Sequence, residues 1–432
     1  MRKFLIFCFL SLFSTAGFAE TLINDTETEN LLMELVSPLA RAADIPESRL
    51  KIRIVNSDEF NAFVKGGEEV FVYTGLLTQI KSPAALQAVI AHELGHTLGG
   101  HLVQMSARMD AELKRALIIQ ALGVGLMAAG GNPMAGAGVL AGSAGITQQS
   151  MLAFSRDEER MADDLGLDLM IKAELDAHEF IEVFEQMREM TGAAESKANP
   201  NRINHPLTAE RLKNVKEKIS TLRIRNQRSV IPAQAGTEIR NNYEMVRAKL
   251  VGYLDSAARV KELYPSSDKS DPAIYARAIA NMRVGNLAGA KVGTQTLISR
   301  NPKNPYFYEL TGDIEYQYGH YDDSVDAYEQ SLKLSKNAPQ IQTALALVLS
   351  ERRKTGDIER AIELCKHAIL KEPIPLTYWV LARVETPGKS DWAMAEYHNM
   401  NGNKKEAKKH AKKARGILPQ NSPEYIKSGE LL

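Results

Sequence analysis

The 432-residue sequence predicts an α+β protein that is mostly helical, with a small sheet near its start and an all-α solenoid at its end. Two observations support this prediction. Short runs of alternating apolar residues precede a long helix with apolar periodicity in the first quarter of the chain. Residues 265–432 repeat a pattern of two helices separated by a glycine, which is typical of a helical-repeat array.

The first nineteen residues have the features of a cleaved signal peptide. Met1-Arg2-Lys3 is basic, Phe4–Phe13 is almost wholly apolar, and Gly17-Phe18-Ala19 offers the small residues that signal peptidase requires. The apolar run is shorter than the roughly 18–20 residues that span a bilayer, so a permanent anchor is the weaker interpretation. We therefore expect residues 1–19 to be removed on secretion.

Composition excludes two other classes of protein. The chain has 53 basic and 53 acidic residues, and this neutral balance gives no case for nucleic-acid binding, which needs a basic excess. Its two cysteines are Cys8 and Cys365. Because Cys8 leaves with the signal peptide, no intramolecular disulfide is expected, and Cys365 is interpreted as a small buried residue.

The region before residue 100 combines helices with short strands. Residues 26–43 have helical spacing of leucines, whereas residues 51–55 and 70–74 have the alternation of strands, with a turn at Gly66-Gly67 between them. Ser82-Pro83 then opens a long helix as its N-cap and first helical residue.

The middle of the chain is mostly helical. Residues 116–146 are apolar and rich in glycine and alanine, but each apolar piece is too short to span a bilayer. We favour buried helices over the site there, with peripheral contact to a membrane surface as the alternative. A helix follows from Ser155 to about Met190, and residues 226–264 are interpreted as a linker and a junction helix.

Four glycines mark the repeats of residues 265–432. Each stands between two helices and is followed five residues later by a small residue; the pairs are Gly285 with Ala290, Gly319 with Ser324, Gly356 with Ala361, and Gly402 with Ala407. The first two glycines are 34 residues apart, the tetratricopeptide period, and the longer later spacings indicate insertions. The prediction is an array of about four units with a groove for protein partners. The basic stretch 404–413 is interpreted as a solvated helix face.

The long helix contains the pattern His92-Glu93-Leu94-Gly95-His96. Positions i and i+4 of a helix share one face, so His92 and His96 can direct their imidazoles to a single zinc ion. Glu93 lies beside the first ligand, where a carboxylate can take a proton from the water that attacks the substrate. We expect one Zn²⁺ per chain.

The third ligand is expected downstream of this helix. His101 is one residue too early for the third histidine of the HExxHxxGxxH arrangement, and we interpret it as a helix-end residue without metal contact. Ser155 and Glu158 have the spacing of a capping box, which leaves Glu159 available as the carboxylate ligand. Asp163 follows one turn later on the same face, where it can support a ligand.

Five motifs, in this order, resemble the HtpX and CAAX-prenyl-protease family of zinc peptidases. They are Asn61-Ala62-Phe63, Thr74-Gly75-Leu76, the His92–His96 pattern, Ser155-Arg156 with Glu159-x-x-Ala162-Asp163, and His205-Pro206-x-Thr208-x-x-Arg211. The resemblance covers the chain to about Leu222. With a signal peptide and repeats, the sequence is similar to the periplasmic BepA-type branch of this family, which is associated with outer-membrane protein assembly and quality control.

The resemblance implies a zincin-type (gluzincin) peptidase domain over residues 20–225. Zinc would be held by His92, His96 and Glu159, with Glu93 as general base and His205 as oxyanion stabiliser. Asp163 and Arg211 would support these groups. An exposed edge strand would receive an extended substrate; its residues would be Val70, Phe71, Val72 and Tyr73. The sequence departs from some relatives in lacking a cysteine pair in the repeats.

The leading functional hypothesis is a periplasmic endopeptidase that degrades misfolded or misassembled envelope proteins, with repeats that bind substrate or the outer-membrane assembly machinery. A second hypothesis is a chaperone or assembly factor in which proteolysis is secondary. A third is a peptidase that trims one partner delivered by the repeats. In the resting state, either His205 or residues 116–146 are expected to block the open metal position.

Overall fold

The structure, a computed structural model, describes residues 21–101, 155–194, 208–226, 236–335 and 338–432. The predicted signal peptide, the segment 116–146 and His205 lie outside these residues. Among the described residues, no helix is both long enough and apolar enough to cross a membrane.

The first part of the chain contains the strands and the helices of the candidate site. Its elements are β1 (Thr21–Ile23), α1 (Thr26–Ala42), β2 (Lys51–Asn56), β3 (Ala62–Lys65), β4 (Glu69–Tyr73), α2 (Thr74–Gln79), α3 (Pro83–Leu98), α4 (Arg156–Lys172), α5 (Glu179–Ala194) and α6 (Ala209–Asn226). The described remainder of the chain is helical, so the predicted α+β class with a helical majority is confirmed.

The helices of this remainder are connected by short segments. They are α7 (Thr237–Leu254), α8 (Ala257–Leu263), α9 (Asp271–Arg283), α10 (Leu287–Arg300), α11 (Pro305–Gln317), α12 (Tyr321–Leu334), α13 (Pro339–Arg352), α14 (Asp357–Lys371), α15 (Pro375–Val384), α16 (Lys389–Met400), α17 (Lys404–Ile417) and α18 (Pro423–Glu430).

The sheet differs from the prediction in its edge. Its strand order is β1-β2-β4-β3, and β3 pairs antiparallel with β4 so that Ala62 lies opposite Val72 and Lys65 opposite Glu69. Both glycines of the connecting turn, Gly66 and Gly67, have positive φ, which suits a tight hairpin.

The prediction that residues 70–73 form an exposed edge strand is therefore wrong. The sequence analysis identified two strands and missed β3, which hydrogen-bonds to β4 and covers one of its sides. Val70, Val72 and Tyr73 are also buried, and Phe71 is half-buried. The edge on this side of the sheet is β3.

The chain divides into two compact units. One, here called the repeat unit, comprises the described residues up to Leu32, Arg53–Ser57 and Asn241–Leu432; the other, here called the site unit, comprises Met33–Ile52 and the described part of Asp58–Arg240. Residues 226–264 were predicted to be a linker and junction helix, but most of α7 is core of the repeat unit. Its Met245 and Tyr253 pack with Tyr275 and Phe307.

Helices α9 to α14 form three hairpins, which confirms the predicted helical repeats. Gly285, Gly319 and Gly356 turn these hairpins with φ between 79° and 84°, a conformation that glycine adopts without strain. The predicted small residues are buried where the paired helices meet; they are Ala290, Ser324, Ala361 and Ala407. Helix α15 is the insertion that lengthens the spacing before Gly402, which turns the hairpin of α16 and α17.

Residues 25–30 are part of the repeat unit although they precede it by more than 200 positions. The Lys249 Nζ lies 2.6 Å from the Asp25 carboxylate and 3.1 Å from that of Glu27. Asn30 donates to the hydroxyl of Tyr306 on α11 at 2.9 Å, and Thr26 bonds the side chain of Gln340 on α13. The chain's own N-terminal segment therefore occupies part of the repeat surface that we predicted to be a groove for partners.

Candidate active site

Helix α3 carries the histidine pattern in a buried position. It begins where the Ser82 hydroxyl accepts a hydrogen bond from Ala85 N–H at 2.9 Å, with Pro83 as first helical residue. From this start the helix buries His92, Glu93 and His96. Because buried polar side chains need partners, these three residues are expected to belong to a polar site.

The two histidines meet a carboxylate from α4. The Nε2 atoms of His92 and His96 are 3.2 Å apart, and each lies 3.5 Å from an oxygen of Glu159. Ligand atoms at about 2.1 Å from one zinc ion in tetrahedral geometry are separated by roughly 3.3 Å. The donor set and its spacing therefore fit zinc, and the three atoms form a group that could hold one metal ion.

A capping box at the start of α4 separates the roles of two adjacent glutamates. Glu158 Oε2 accepts from Ser155 N–H at 2.8 Å, and Ser155 Oγ accepts from Glu158 N–H at 3.2 Å. Glu159 is thereby directed toward α3 and is buried. The two helices approach closely there, since a side chain at Gly95 would collide with the carbonyl of Ala162.

Asp163 and Arg211 lie next to His92 and Glu159, two of the candidate ligands, at short distances. Asp163 Oδ1 lies 2.9 Å from His92 Nδ1, the ring nitrogen that does not face the other ligands. Arg211 donates to both Asp163 oxygens at 2.7 and 2.8 Å and lies 2.6 Å from Glu159. Its guanidinium stacks over the Phe184 ring at 5.0 Å. His92 and Glu159 are thus each held by a further residue, as metal ligands usually are.

The charges of this cluster shift its pKa values. Burial lowers the pKa of His92, but its hydrogen bonds to Asp163 and Glu159 outweigh burial and raise the pKa to about 9. For Asp163, burial raises the pKa, yet the hydrogen bonds from Arg211 and His92 lower it overall. The raised pKa favours a proton on His92 at neutral pH, and a bound metal would have to displace that proton.

A cleft lies beside this cluster. Glu93 and His92 line it together with the start of β3 at Asn61 and Ala62. Its other wall is apolar and comes largely from α5; the residues are Phe180, Val183, Phe184 and Met187. The cleft can therefore receive an apolar side chain next to the carboxylate of Glu93 and beside the edge strand.

One contact of the site was not predicted from the sequence, that between His101 and His96. His101 was interpreted as a helix-end residue without metal contact, and it does not belong to the group of three ligand atoms. Its ring is nevertheless buried, with Nδ1 3.0 Å from Nδ1 of His96. The sequence feature that could have indicated this contact is the Gly99-Gly100 pair, which ends the helix and lets the chain turn back at the next residue. His205 lies outside the described residues, so its predicted role is neither supported nor opposed by this geometry.

Comparisons with known proteins agree with this arrangement. Residues 26–219 match the model of Peptidase family M48, a segment that contains α3, α4 and Arg211. The chain is 24% identical over 335 residues to the Beta-barrel assembly-enhancing protease of Escherichia coli (strain K12), a match that covers 75% of this chain and 65% of that protein. The chain therefore spans less than two thirds of the length of this relative.

Two further comparisons each cover part of the chain. The Mitochondrial metalloendopeptidase OMA1 of Schizosaccharomyces pombe is 27% identical over 179 residues, or 41% of this chain and 49% of that one. A solved tetratricopeptide repeat protein from Parabacteroides merdae is 12% identical, with a TM-score of 0.29, and the match covers 64% of this chain and 93% of that one.

Proposed function

We propose that this chain, which carries a peptidase family M48 domain, is a zinc-dependent endopeptidase of the periplasm that degrades misfolded or misassembled envelope proteins. The observation that carries the proposal is the buried group of His92, His96 and Glu159, whose ligand atoms lie 3.2 to 3.5 Å apart. Glu93 lines the adjoining cleft. A metal site beside an open cleft and a carboxylate suits hydrolysis better than a purely structural role.

In this proposal each residue has a separate task. The zinc supplies Lewis-acid chemistry to the cleft. Glu93 accepts a proton from the attacking water and returns it to the leaving amine. Asp163 and Arg211 hold His92 and Glu159 in place through the contacts described above. His205 supports the developing oxyanion, a role that rests on the family resemblance alone.

The substrate is proposed to bind along β3 instead of β4. In the described part of the sheet, β3 is an outer strand paired with β4, so its other side can receive an extended chain through main-chain hydrogen bonds. The strand begins at Ala62, which also lines the cleft. An unfolded segment lying along β3 would place an apolar side chain against Phe180 and Phe184.

The repeats are proposed to bind substrate or the machinery that assembles outer-membrane proteins. The proposal draws on the printed name of the Escherichia coli relative, which refers to assembly of β-barrels. Because residues 25–30 already cover parts of α9, α11 and α13, partners are expected on the remaining repeat surface. The same name favours the alternative of an assembly factor in which proteolysis is secondary.

The central test compares wild type with Glu93→Gln on zinc content and on cleavage of unfolded casein. We expect about one zinc per chain in both, and a loss of roughly 10³-fold in cleavage for the variant, because only the base is removed. Glu158→Gln is the matched control and should cleave at nearly the wild-type rate. Turnover by Glu93→Gln close to that of wild type would reject the assignment.

A second measurement separates the endopeptidase from the assembly factor. Cells that produce only Glu93→Gln are compared with cells that produce wild type for the yield of folded outer-membrane proteins. Accumulation of misassembled protein with the variant supports the endopeptidase. Full assembly with an inactive enzyme would favour the assembly-factor alternative instead.

A further inference from the structure

We propose that His101 is a positioning residue that orients His96 for metal binding. The inference rests on the proposed zinc site and adds a residue to it. His101 is 1% exposed, and its Nδ1 lies 3.0 Å from Nδ1 of His96. Its own ring nitrogens are outside the group of candidate ligand atoms, so its effect on the metal would pass through His96.

The backbone after α3 is built to return this ring to the helix. Gly99 is the C-cap, and Gly100 has φ of 69°, a left-handed conformation that reverses the chain. A Cβ at Gly99 would lie 2.5 Å from Nε2 of His101, so a side chain there would displace the ring. The two glycines thus allow the chain to reverse, and this reversal places the imidazole of His101 against that of His96.

The hydrogen bond between the rings determines where their protons lie. His96 Nε2 faces His92 Nε2 at 3.2 Å and Glu159 at 3.5 Å, so this atom must offer its lone pair to a metal. His96 Nδ1 then carries the proton and donates it to Nδ1 of His101. His101 in turn carries its proton on Nε2, which lies 3.4 Å from the Met161 sulfur. The fold therefore selects one tautomer for each ring.

The two histidine ligands are supported by different chemistry. His92 is supported by the carboxylate of Asp163 at 2.9 Å, whereas His96 is supported by the imidazole of His101 at 3.0 Å. A second carboxylate at this place would add a negative charge to a cluster that already contains Glu159 and Asp163. A neutral acceptor orients the ligand without that charge, since it needs no counter-ion in the buried site.

The test measures zinc affinity of the full chain by chelator competition for wild type, His101→Phe and His101→Gln. Phenylalanine fills the volume but accepts no hydrogen bond, so we expect zinc to bind roughly 10- to 100-fold more weakly, as for other residues that orient metal ligands. Glutamine retains an acceptor and should recover most of the affinity. Met161→Leu, which keeps the apolar contact, should bind zinc within about threefold of wild type, because the sulfur is only a weak acceptor.

Long-range ¹⁵N–¹H spectra of the imidazoles in the zinc-loaded wild type provide a readout that does not depend on the variants. We expect the proton of His101 on Nε2. Wild-type affinity in His101→Phe, or a proton on Nδ1 of His101, would overturn the positioning role while leaving the zinc site intact. A wild type that binds no zinc would instead overturn the proposed function together with this inference.

Discussion

The molecule contains two buried charge clusters, one around Arg211 in the site unit and one around Lys249 in the repeat unit. In both, a single long basic side chain lies among carboxylates that have almost no solvent exposure. Arg211 contacts two of them, Asp163 and Glu159. Lys249 lies within 3.6 Å of three, those of Asp25, Glu27 and Glu309.

The pKa values of the two clusters move in opposite directions. For Asp163, burial raises the pKa, but the hydrogen bonds from Arg211 and His92 prevail and lower it. For Glu27 and Glu309, burial raises the pKa more than the charge of Lys249 lowers it, and neighbouring carboxylates add to the rise. The first cluster keeps its carboxylate ionised, whereas the second favours protonated carboxyl groups.

Geometry accounts for the contrast. The guanidinium of Arg211 matches the carboxylate of Asp163 with two parallel hydrogen bonds, at 2.7 and 2.8 Å. The ammonium of Lys249 is a point charge shared among several acids, so each receives only part of its field. The carboxylate of Asp163 is thus kept ionised beside the candidate ligand His92, whereas those of Glu27 and Glu309 are not.

The largest effect is expected from Glu159→Gln. Loss of a charged ligand should weaken zinc binding by at least about 100-fold and reduce cleavage in parallel, because the carboxylate is one of three protein ligands. Glu158→Gln, the adjacent control, should keep its zinc and lose only about 1 kcal/mol of stability with the capping box. Zinc content and thermal unfolding of both variants provide the check. The reverse pattern would mean that the two glutamates exchange roles.

Lys249→Met should destabilise the folded chain by about 3–5 kcal/mol, since it removes the buried cation that lies 2.6 Å from the Asp25 carboxylate. Zinc content should stay at the wild-type level, because Lys249 and the ligands belong to different units. Urea unfolding and metal analysis of the same preparation measure the two effects. Lys216→Met, which removes an exposed ion pair with Glu185, is the control and should cost less than about 1 kcal/mol. Equal stability of the two variants would contradict the importance of the Lys249 cluster.

A smaller effect is expected from Glu29→Gln and should depend on pH. Burial first, and then the nearby charge of Glu372, raise the pKa of Glu29 to about 8. The folded chain therefore binds this proton more tightly than the unfolded chain, whose glutamate has its ordinary pKa of 4.5. The resulting stability is fully present below pH 4.5 and is lost as the pH rises through about 8.

The variant should therefore gain stability over wild type as the pH rises, by roughly 1–3 kcal/mol at pH 8.5 and little at pH 4.5. Thermal unfolding between these two values measures the difference. Glu262→Gln, at an exposed position on α8, should follow the wild-type curve. A constant difference across the range would show that Glu29 does not hold the proton.

Local patterns in the sequence were sufficient to predict where much of the candidate site lies. The spacing of His92 and His96, and the capping box at Ser155, depend on residues within one helix turn, and the structure reproduces these arrangements. The edge of the sheet was predicted wrongly because β3 is only four residues long and its pairing with β4 is not visible in periodicity. The contact of His101 with His96 was not predicted because it depends on a reversal of the chain at Gly100 and not on helical spacing.

Contacts between distant segments were beyond the reach of these patterns. Nothing in residues 25–30 indicates that their acidic side chains meet a lysine on α7, and α7 itself has little amphipathic character that would identify it as repeat core. The composition of residues 226–236 favoured a linker. The helix that follows was grouped with this linker because it is adjacent to it in sequence. Tertiary packing decides such assignments, since burial is shared among elements that are remote in sequence.

The bond between Asp25 and Lys249 also has a consequence for the order in which the chain can fold. Its two residues are 224 positions apart, and the bond from Thr26 to Gln340 joins residues 314 positions apart. A ribosome that has made the first of these residues must still make most of the chain before the second exists. Closing such long loops is slow. We therefore expect the contacts of residues 25–30 with the repeat helices to form late in the folding of the repeat unit.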